Sequence, residues 1–337
     1  MLKKLKILLL FDSPYSRPRG YDFQEEFKNT DWDTERDVYQ ALIGCGYEVS
    51  ILGIYNKIDI LLAEIEEFKP DVIFNLAEVF NQKTHLDKNI VALLEMLEVH
   101  HTGASSTSLF ICNNKALTKK ILAYHRINIP KFHTFYRNRK IWLPKRLKLP
   151  LIVKPLCEEA SRGISLASIV DNQASLIERV KFIHEKMNAD VIVEEYIDGR
   201  ELYVSILSNK RMRVLPLREM KFSQFPEDEP RIATYKAKWD DSYRKKWGIK
   251  SVFAGKLPNG VDKKIINVCK KAYQVLNMQC YARLDIRVTP SGSVYIIEVN
   301  ANPCIARYDE VAQAAEKVGI SYEGLIKKIV TLALARK

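Results

Sequence analysis

Near the C-terminus, residues 281–303 read YARLDIRVTPSGSVYIIEVNANP. Two runs in which apolar and polar residues alternate flank a turn containing Pro and Gly, a pattern that predicts a pair of antiparallel β-strands. Because side chains alternate between the faces of a strand, Arg283 and Asp285 share one face and apolar side chains line the other. In the second strand, Glu298 and Asn300 interrupt the end of an apolar row. Polar groups in such positions need partners.

The acidic residues of this strand pair suggest a cation. If Ser291-Gly292 forms a two-residue turn, Asp285 lies directly opposite Glu298, and two like charges so placed destabilise a sheet. A divalent metal would resolve the conflict, and hard oxygen ligands with few protein donors are typical of magnesium sites. In a different register, Arg283 pairs with Glu298 and Asp285 is solvated. The spacing alone favours neither interpretation.

The first hundred residues alternate short apolar runs with helical patterns. Predicted strands cover residues 5–11, 48–53 and 71–76, and predicted helices cover 34–43, 58–68 and 87–97. Such alternation predicts right-handed crossovers and a doubly wound parallel sheet. Ligands of these sheets bind at the carboxyl ends of the strands, so the polar loop at 12–33 is a candidate substrate loop.

The pattern changes after residue 103 and again near 197. Further predicted strands cover 151–154, 191–195, 201–207, 281–288 and 293–300, and predicted helices cover 114–124 and 262–276. The polar, Pro-bearing segment 222–250 has the length and composition of a lid. We therefore predict an N-terminal α/β domain at 1–103, a central subdomain at 104–197 and a C-terminal subdomain at 198–337.

Two lysines are candidate phosphate ligands, Lys115 at a helix start and Lys154 at a strand end. Lysine is mostly solvent-exposed, so a surface position is the competing interpretation. The segment 158–165 could offer backbone N–H groups to phosphates, and 191–201 alone predicts an ordinary hairpin. There is no Walker A or GxGxxG motif, which argues against a P-loop or Rossmann nucleotide site.

Composition narrows the class of protein. The formal net charge is +12 with 47% hydrophobic residues, but the basic residues are scattered, which favours an enzyme that holds a polyanion such as ATP over a nucleic-acid binder. The six cysteines include no CxxC pair, so neither zinc nor disulfides are indicated and a reducing cytoplasm fits best. No apolar stretch approaches the roughly 18 residues of a membrane span.

Taken in order, these segments resemble the ATP-grasp superfamily and, within it, the D-alanine–D-alanine ligases. The residues that carry the resemblance are Lys115, Ile152-Val153-Lys154-Pro155, Val193-Glu194, Gly199-Arg200-Glu201, Arg283-Leu284-Asp285 and Glu298-Val299-Asn300-Ala301-Asn302-Pro303. The similarity extends from about residue 5 to residue 334. It implies an α/β (α+β ATP-grasp) fold, in which an N-terminal doubly wound parallel-sheet domain precedes two ATP-grasp subdomains with mainly antiparallel sheets.

The resemblance also implies a role for individual residues. Those expected to bind ATP are Lys115, Lys154, Ser161, Glu194, Glu195, Ile197, Glu201 and Lys238, and the resemblance implies that Glu201 binds the ribose. Those expected to bind two Mg²⁺ ions, with Mn²⁺ as an alternative, are Asp285, Glu298 and Asn300. Those expected to be catalytic are Arg283, Lys238 and Glu35. Arg283, with the backbone N–H of Cys304, resembles the donors that stabilise a tetrahedral intermediate.

Glu35 follows Thr34 in a pattern similar to the family's helix start, whose glutamate receives the ammonium group of the first substrate. Glu35 is therefore a candidate amine anchor. The competing interpretation is that its charge only stabilises the N-terminus of a helix.

The implied reaction is phosphorylation of a carboxylate by ATP, followed by attack of an amine on the acyl phosphate. The substrates would be small, an amino acid or peptide carboxylate and an amine. The substrate side departs from the family, with Ala160 and Asp309 or a neighbour where it has serines and Trp239 where it has a tyrosine. The segment 12–33 replaces a glycine-rich loop, and the expected histidine region reads Asn75-Leu76-Ala77-Glu78. D-alanine is therefore not the expected substrate. The alternatives are a protein-modifying amino-acid ligase and a non-catalytic ATP-binding sensor. The resemblance also suggests a homodimer.

Overall fold

The computed structural model describes residues 4–158, 160–208, 211–226 and 229–336. Within these residues the strands form one parallel and two antiparallel sheets, as predicted. Each sheet lies inside one of the segments predicted as a domain or subdomain, and the boundaries of those segments stay a prediction. Across the described residues no helix is both long and apolar enough to cross a membrane.

The first sheet is parallel, with the strand order β2-β1-β3. Its strands are β1 (Lys6–Asp12), β2 (Glu48–Ile54) and β3 (Val72–Asn75), and its helices are α1 (Asp33–Gly44), α2 (Asp59–Phe68) and α3 (Asp87–Met96). Alternate residues of β1 pack in opposite directions: Ile7 and Leu9 lie in a core with α1, whereas Leu8 and Leu10 lie in a core with α2 and α3. This two-sided burial is typical of a doubly wound sheet.

Two short helices lead from the first sheet to the second. They are α4 (Ser106–Cys112) and α5 (Lys115–Tyr124). Helix α5 begins at Lys115 because the side chain of Asn114 accepts a hydrogen bond from the backbone N–H of Leu117, which satisfies a donor that the first turn leaves free. This cap places Lys115 at the start of the helix, beside the candidate site.

The second sheet is antiparallel, with the order β4-β7-β5-β6. Its strands are β4 (Phe132–Phe135), β5 (Leu151–Pro155), β6 (Ile169–Val170) and β7 (Val191–Glu195). Helix α6 (Gln173–Lys186) packs on it through Leu176, Val180 and Ile183. The predicted strand at 191–195 is confirmed with the same bounds.

The third sheet is also antiparallel, with the order β11-β10-β8-β12-β13 and β9 paired to β8. Its strands are β8 (Arg200–Ser208), β9 (Arg213–Val214), β10 (Arg218–Phe222), β11 (Ile249–Phe253), β12 (Cys280–Val288) and β13 (Val294–Asn300). The remaining helices are α7 (Tyr235–Trp239), α8 (Asp241–Lys246), α9 (Val261–Val275), α10 (Glu310–Glu316) and α11 (Tyr322–Leu334). Helix α11 joins the core of the first sheet, so the C-terminus returns to the N-terminal strands.

The predicted two-residue turn at Ser291-Gly292 is wrong. The loop between β12 and β13 covers residues 289–293, and a bulge shifts the register of the strand pair between Asp285 and Ile286. Because Ile286 pairs with Ile296 while Asp285 pairs with Glu298, the extra residue is Ile297. The bulge compensates for the longer loop, so Asp285 still lies opposite Glu298, and the alternative register is excluded.

Candidate active site

A cavity lies between the second and third sheets. Its floor includes β5 and β12, its edge is the segment that joins β7 to β8, and its cover is the start of the predicted lid at Ile232 and Ala233. Its wall also includes Asp285 and Glu298. The predicted ATP-binding residues that line it are Lys154, Ser161, Glu194, Glu195, Ile197, Glu201 and Lys238.

The two opposed carboxylates are balanced by cations. Arg283 donates to both oxygens of Asp285, at 2.8 and 3.1 Å, and Asn300 Nδ2 donates to Oδ1 at 3.2 Å. Burial still raises the pKa of Asp285, although Arg283 and Lys238 act against it. For Glu298, burial is again the largest influence but the attraction of lysines outweighs it and lowers the pKa to about 2. The nearest of these lysines is Lys115, whose Nζ is 3.1 Å from Glu298 Oε1.

Lys115 and Lys154 are both buried, which contradicts the interpretation that they are surface residues. Lys154 Nζ lies 3.0 Å from Glu194 Oε2, and Glu194 is itself only 1% exposed. The other oxygen of Glu194, Oε1, is 3.2 Å from Nζ of Lys119. Burial raises the pKa of Glu194, but the two lysines lower it below its usual value. The Glu194 carboxylate, which lies between the ammonium groups of Lys119 and Lys154, therefore lines the cavity.

Lys119 is a site residue that the sequence interpretation missed. It is fully buried, and Nζ also donates to the carbonyl of Ile297 at 2.8 Å. That carbonyl belongs to the bulge in β13, so the bulge supplies an acceptor to the lysine cluster. The signal in the sequence was the spacing, since Lys119 follows Lys115 by four residues and shares a helix face with it.

The segment predicted as a lid is bound by hydrogen bonds to the loop between β5 and β6. Ser161 Oγ donates to the carbonyl of Ala233 at 2.8 Å, and Trp239 Nε1 donates to the carbonyl of Ala160 at 3.0 Å. Ala160 and Trp239 are two of the positions that depart from the family pattern, so these departures contact each other. The segment predicted as a lid also contains helices α7 and α8, and Lys238 on α7 faces both carboxylates.

The cavity beneath the lid measures about 70 Å³. Pockets for ligands of drug size typically measure roughly 300–1,000 Å³. For a nucleotide to enter, the predicted lid must therefore move outward, and the bonds made by Ser161 and Trp239 are among those that must break.

The cavity wall contains a second residue that the sequence interpretation missed, Arg287. It shares a strand face with Arg283 and Asp285, which was the available signal. Its Nη2 is 2.6 Å from Oε2 of Glu201, the residue opposite it on β8. The hydroxyl of Tyr203 donates to Oε1 of the same carboxylate at 3.1 Å.

Glu35 lies outside the cavity-lining residues that the structure describes, in the first turn of α1. Burial, with smaller contributions from Asp12 and Asp33, raises its pKa to about 7. Helix α1 nevertheless meets the segment after β13, because Thr34 Oγ1 lies 3.3 Å from Cys304 Sγ. The start of α1, which carries Glu35, therefore lies beside the segment that follows β13.

The donor set on β12 and β13 is compatible with magnesium. Within the described residues there is no group of three or more His, Cys, Asp and Glu side chains arranged for a metal ion. Asp285, Glu298 and Asn300 instead offer two carboxylates and one amide, a small set of hard oxygen donors that suits an ion which keeps several waters. An ion there must share Asp285 with Arg283.

Comparisons with known proteins show the family of this chain. The family model for the D-ala D-ala ligase C-terminus matches residues 121–331, more than half of the chain. The "Uncharacterized protein y4sG" of Sinorhizobium fredii is 30% identical over 307 residues, which is 89% of this chain and 87% of that protein. A D-alanine–D-alanine ligase of Pelagibacter ubique is 28% identical, covering 88% of this chain and 91% of that protein.

A structural comparison supports the same fold. The D-alanine–D-alanine ligase of Bacillus anthracis, in a crystal structure with ATP, superposes with a TM-score of 0.74 and 21% sequence identity. The match covers 98% of this chain and 97% of that protein. The mixed arrangement of one parallel and two antiparallel sheets is therefore that of the ATP-grasp ligases.

Proposed function

Because this chain belongs to the D-ala D-ala ligase family, we propose that it is an ATP-dependent ligase that joins a carboxylate to an amine through an acyl phosphate. The observation that carries the proposal is the cavity in which Asp285 and Glu298 lie opposite each other beside Lys154 and Lys238. The lysine ammonium groups suit the phosphates of a nucleotide, and the carboxylates suit the cations that accompany those phosphates.

The first step would transfer the γ-phosphoryl group of ATP to a carboxylate oxygen and release ADP. Lys115 and Lys154 would neutralise phosphate charge, because their ammonium groups are held at the site. They pair there with the carboxylates of Glu298 and Glu194. Lys238, on the lid, would reach the same phosphates from the opposite side. A lid that closes over the cavity would exclude the water that otherwise hydrolyses an acyl phosphate.

The second step would form the amide bond. The nitrogen of a neutral amine attacks the acyl carbon and the oxygen becomes negatively charged. The carbonyl then reforms as phosphate leaves and takes up the proton that the nitrogen loses. Arg283 would stabilise that charge together with the backbone N–H of Cys304. Its guanidinium is held in place by Asp285 and by Glu310, 3.4 Å from Nη1, so it is oriented before the substrate arrives.

Asp285, Glu298 and Asn300 would hold two magnesium ions. When bound, these ions neutralise the phosphates and help to align the transferred group. The contribution of the chain is to keep two carboxylates opposite each other within the strand pair β12–β13, which the bulge at Ile297 maintains.

We propose that the substrates are an amino acid or peptide carboxylate and an amine, and that neither is D-alanine. Support comes from the substrate side of the site, where Asp309 replaces a family serine and Trp239 replaces a family tyrosine. Asp309 lies beside Glu310, and burial raises its pKa. Glu35 is our candidate anchor for the ammonium group of one substrate, since its carboxylate lies near Asp12 and Asp33.

The test is phosphate release from ATP and magnesium with D- and L-amino acids and dipeptides, supplied singly and in pairs. Release that requires a carboxylate and an amine together is the expected result. Glu298→Gln serves as the inactive control, and Glu66→Gln, an exposed glutamate on α2, is the matched active control. If no pair elicits release although ATP binds, a small-molecule ligase is excluded.

A further inference from the structure

Arg287 is a buried arginine whose guanidinium lines the candidate nucleotide cavity. It is 4% exposed and lies on β12, on the strand face that also carries Arg283 and Asp285. Taking a charged group out of water costs free energy unless its donors are satisfied. The partners of Arg287 therefore indicate why the chain keeps an arginine at this position.

The guanidinium joins three segments that surround the cavity. From β8 it binds the carboxylate of Glu201, at 2.6 Å from Nη2. From the segment between β7 and β8 it binds the carbonyls of Ile197 and Gly199, at 3.4 and 3.3 Å from Nη1. From the start of the lid it binds the carbonyl of Arg231. An arginine suits this position because its five N–H donors lie in a fixed plane.

The carboxylate of Glu201 can accept further hydrogen bonds after these contacts. An ionised carboxylate has about four lone-pair sites. Arg287 occupies one site on Oε2 and Tyr203 occupies one on Oε1. The other sites can accept hydrogen bonds from a diol, and the two fixed donors determine the direction in which they point.

A comparable ion pair exists elsewhere on the same sheet. Arg200 donates from Nε and Nη2 to Glu219, both at 2.8 Å, and also binds the carbonyls of Gly255 and Lys256. Neither Arg200 nor Glu219 is among the cavity-lining residues that the structure describes. This pair is therefore a control for the effect of losing an Arg–Glu contact in the sheet.

We propose that Arg287 is a positioning residue that couples lid closure to recognition of the ribose. It would orient Glu201 toward the ribose hydroxyls and, with the same guanidinium, hold the lid carbonyl of Arg231. Lid closure and ribose binding then favour each other, because both stabilise the same position of the Arg287 side chain. This inference rests on the proposed function, since it requires that the cavity binds ATP.

The experiment compares MgATP with Mg-2′-deoxyATP by calorimetry, using the full chain and the variants Arg287→Met, Arg287→Lys and Arg200→Met. Charge-assisted hydrogen bonds predict that Arg287→Met weakens MgATP binding by about tenfold to a hundredfold. We also expect Arg287→Met to lose the wild-type preference for the ribonucleotide, because Glu201 is no longer oriented. Arg200→Met should retain both the affinity and the preference.

Lid closure is measured separately, by tryptic cleavage of residues 222–250 at a nucleotide concentration that saturates each variant. The wild type and Arg200→Met should be protected by MgATP, whereas Arg287→Met should remain cleavable. Arg287→Lys can reach Glu201 but cannot hold all of the carbonyls, so it should regain the ribose preference and not the protection. It also provides the test if Arg287→Met does not fold.

Two results would overturn the inference. One is a ribose preference in Arg287→Met equal to that of Arg200→Met, and the other is full lid protection in both Arg287 variants. A wild-type protein that binds no MgATP would contradict the proposed function itself, and the role of Arg287 with it.

Discussion

Replacing Glu35 with glutamine should stabilise the protein, and increasingly so as the pH rises. The Glu35 carboxyl lies in the first turn of α1, and burial, with Asp12 and Asp33 nearby, raises its pKa from 4.5 to about 7. Between these two values the folded protein binds more protons than the unfolded chain. The free energy of unfolding therefore falls as the pH rises through this window.

The size of the effect follows from the same two pKa values. Each pH unit between them is worth about 1.36 kcal/mol, so ionised Glu35 costs about 3 kcal/mol once the pH exceeds 7. At pH 5 the cost is about 1 kcal/mol. Glu35→Gln keeps the shape of the side chain and removes the charge. The variant should thus gain about 2 kcal/mol more over the wild type at pH 8 than at pH 5.

The measurement is the difference in urea midpoint between variant and wild type at several pH values from 5 to 8. Glu66→Gln removes a charge from an exposed position on α2 and should follow the wild-type profile. A midpoint difference for Glu35→Gln that stays constant over this range would refute the reasoning. It would mean that the carboxyl does not change its protonation on folding.

Three further predictions concern the second sheet and the lid. Glu194→Gln leaves two buried lysines without their counter-charge, so it should lower the free energy of unfolding by about 3–5 kcal/mol, measured by urea unfolding. Trp239→Phe removes the donor to the Ala160 carbonyl and should accelerate tryptic cleavage of the lid several-fold, as expected for a hydrogen bond worth about 1 kcal/mol. Gly199→Ala should destabilise the protein by more than 1 kcal/mol, seen as a lower melting temperature, because φ is +143° and the new Cβ would lie 2.2 Å from the Val288 carbonyl.

Each of these predictions has a control. For Glu194→Gln, the added change Lys119→Met should recover part of the stability, and no recovery would argue against the pairing. For Trp239→Phe, the control is Trp142→Phe outside the lid, and equal cleavage rates in the two variants would contradict the assigned bond. For Gly199→Ala, the control is Gly255→Ala, where a Cβ meets nothing within 4 Å, and equal melting temperatures would remove the argument from backbone geometry.

The fold was predictable because its signals are local. Short apolar runs predicted β1 and β7, and alternation of apolar and polar residues predicted β12, all to within about a residue of the observed bounds. The order of strands and helices predicted the parallel sheet. The opposition of Asp285 and Glu298 was one of two interpretations that the spacing left open, and it assumed a turn of two residues. The structure has this opposition with a longer loop and a bulge, which the sequence did not indicate.

The contacts of the site were much less predictable, because they join distant parts of the chain. Lys119 reaches the carbonyl of Ile297, 178 residues away, and no single-sequence pattern reports such a pair. Glu194 is expected to contact a nucleotide, and the sequence did not indicate that its side chain lies between two lysines. The roles of these residues toward ligands stay predictions, as do Glu35 as an anchor and Asn300 as a metal ligand.

The bulge at Ile297 has a consequence for how this chain can change in length. It absorbs one residue between the hairpin loop at 289–293 and the pair formed by Asp285 and Glu298. Growth or shrinkage of the loop can therefore be taken up by reshaping the loop or by gaining or losing the bulge, with the two carboxylates left in place. An inserted peptide tag, or an insertion acquired during evolution, should be tolerated at 290–292 more readily than at the start of β12 or the end of β13.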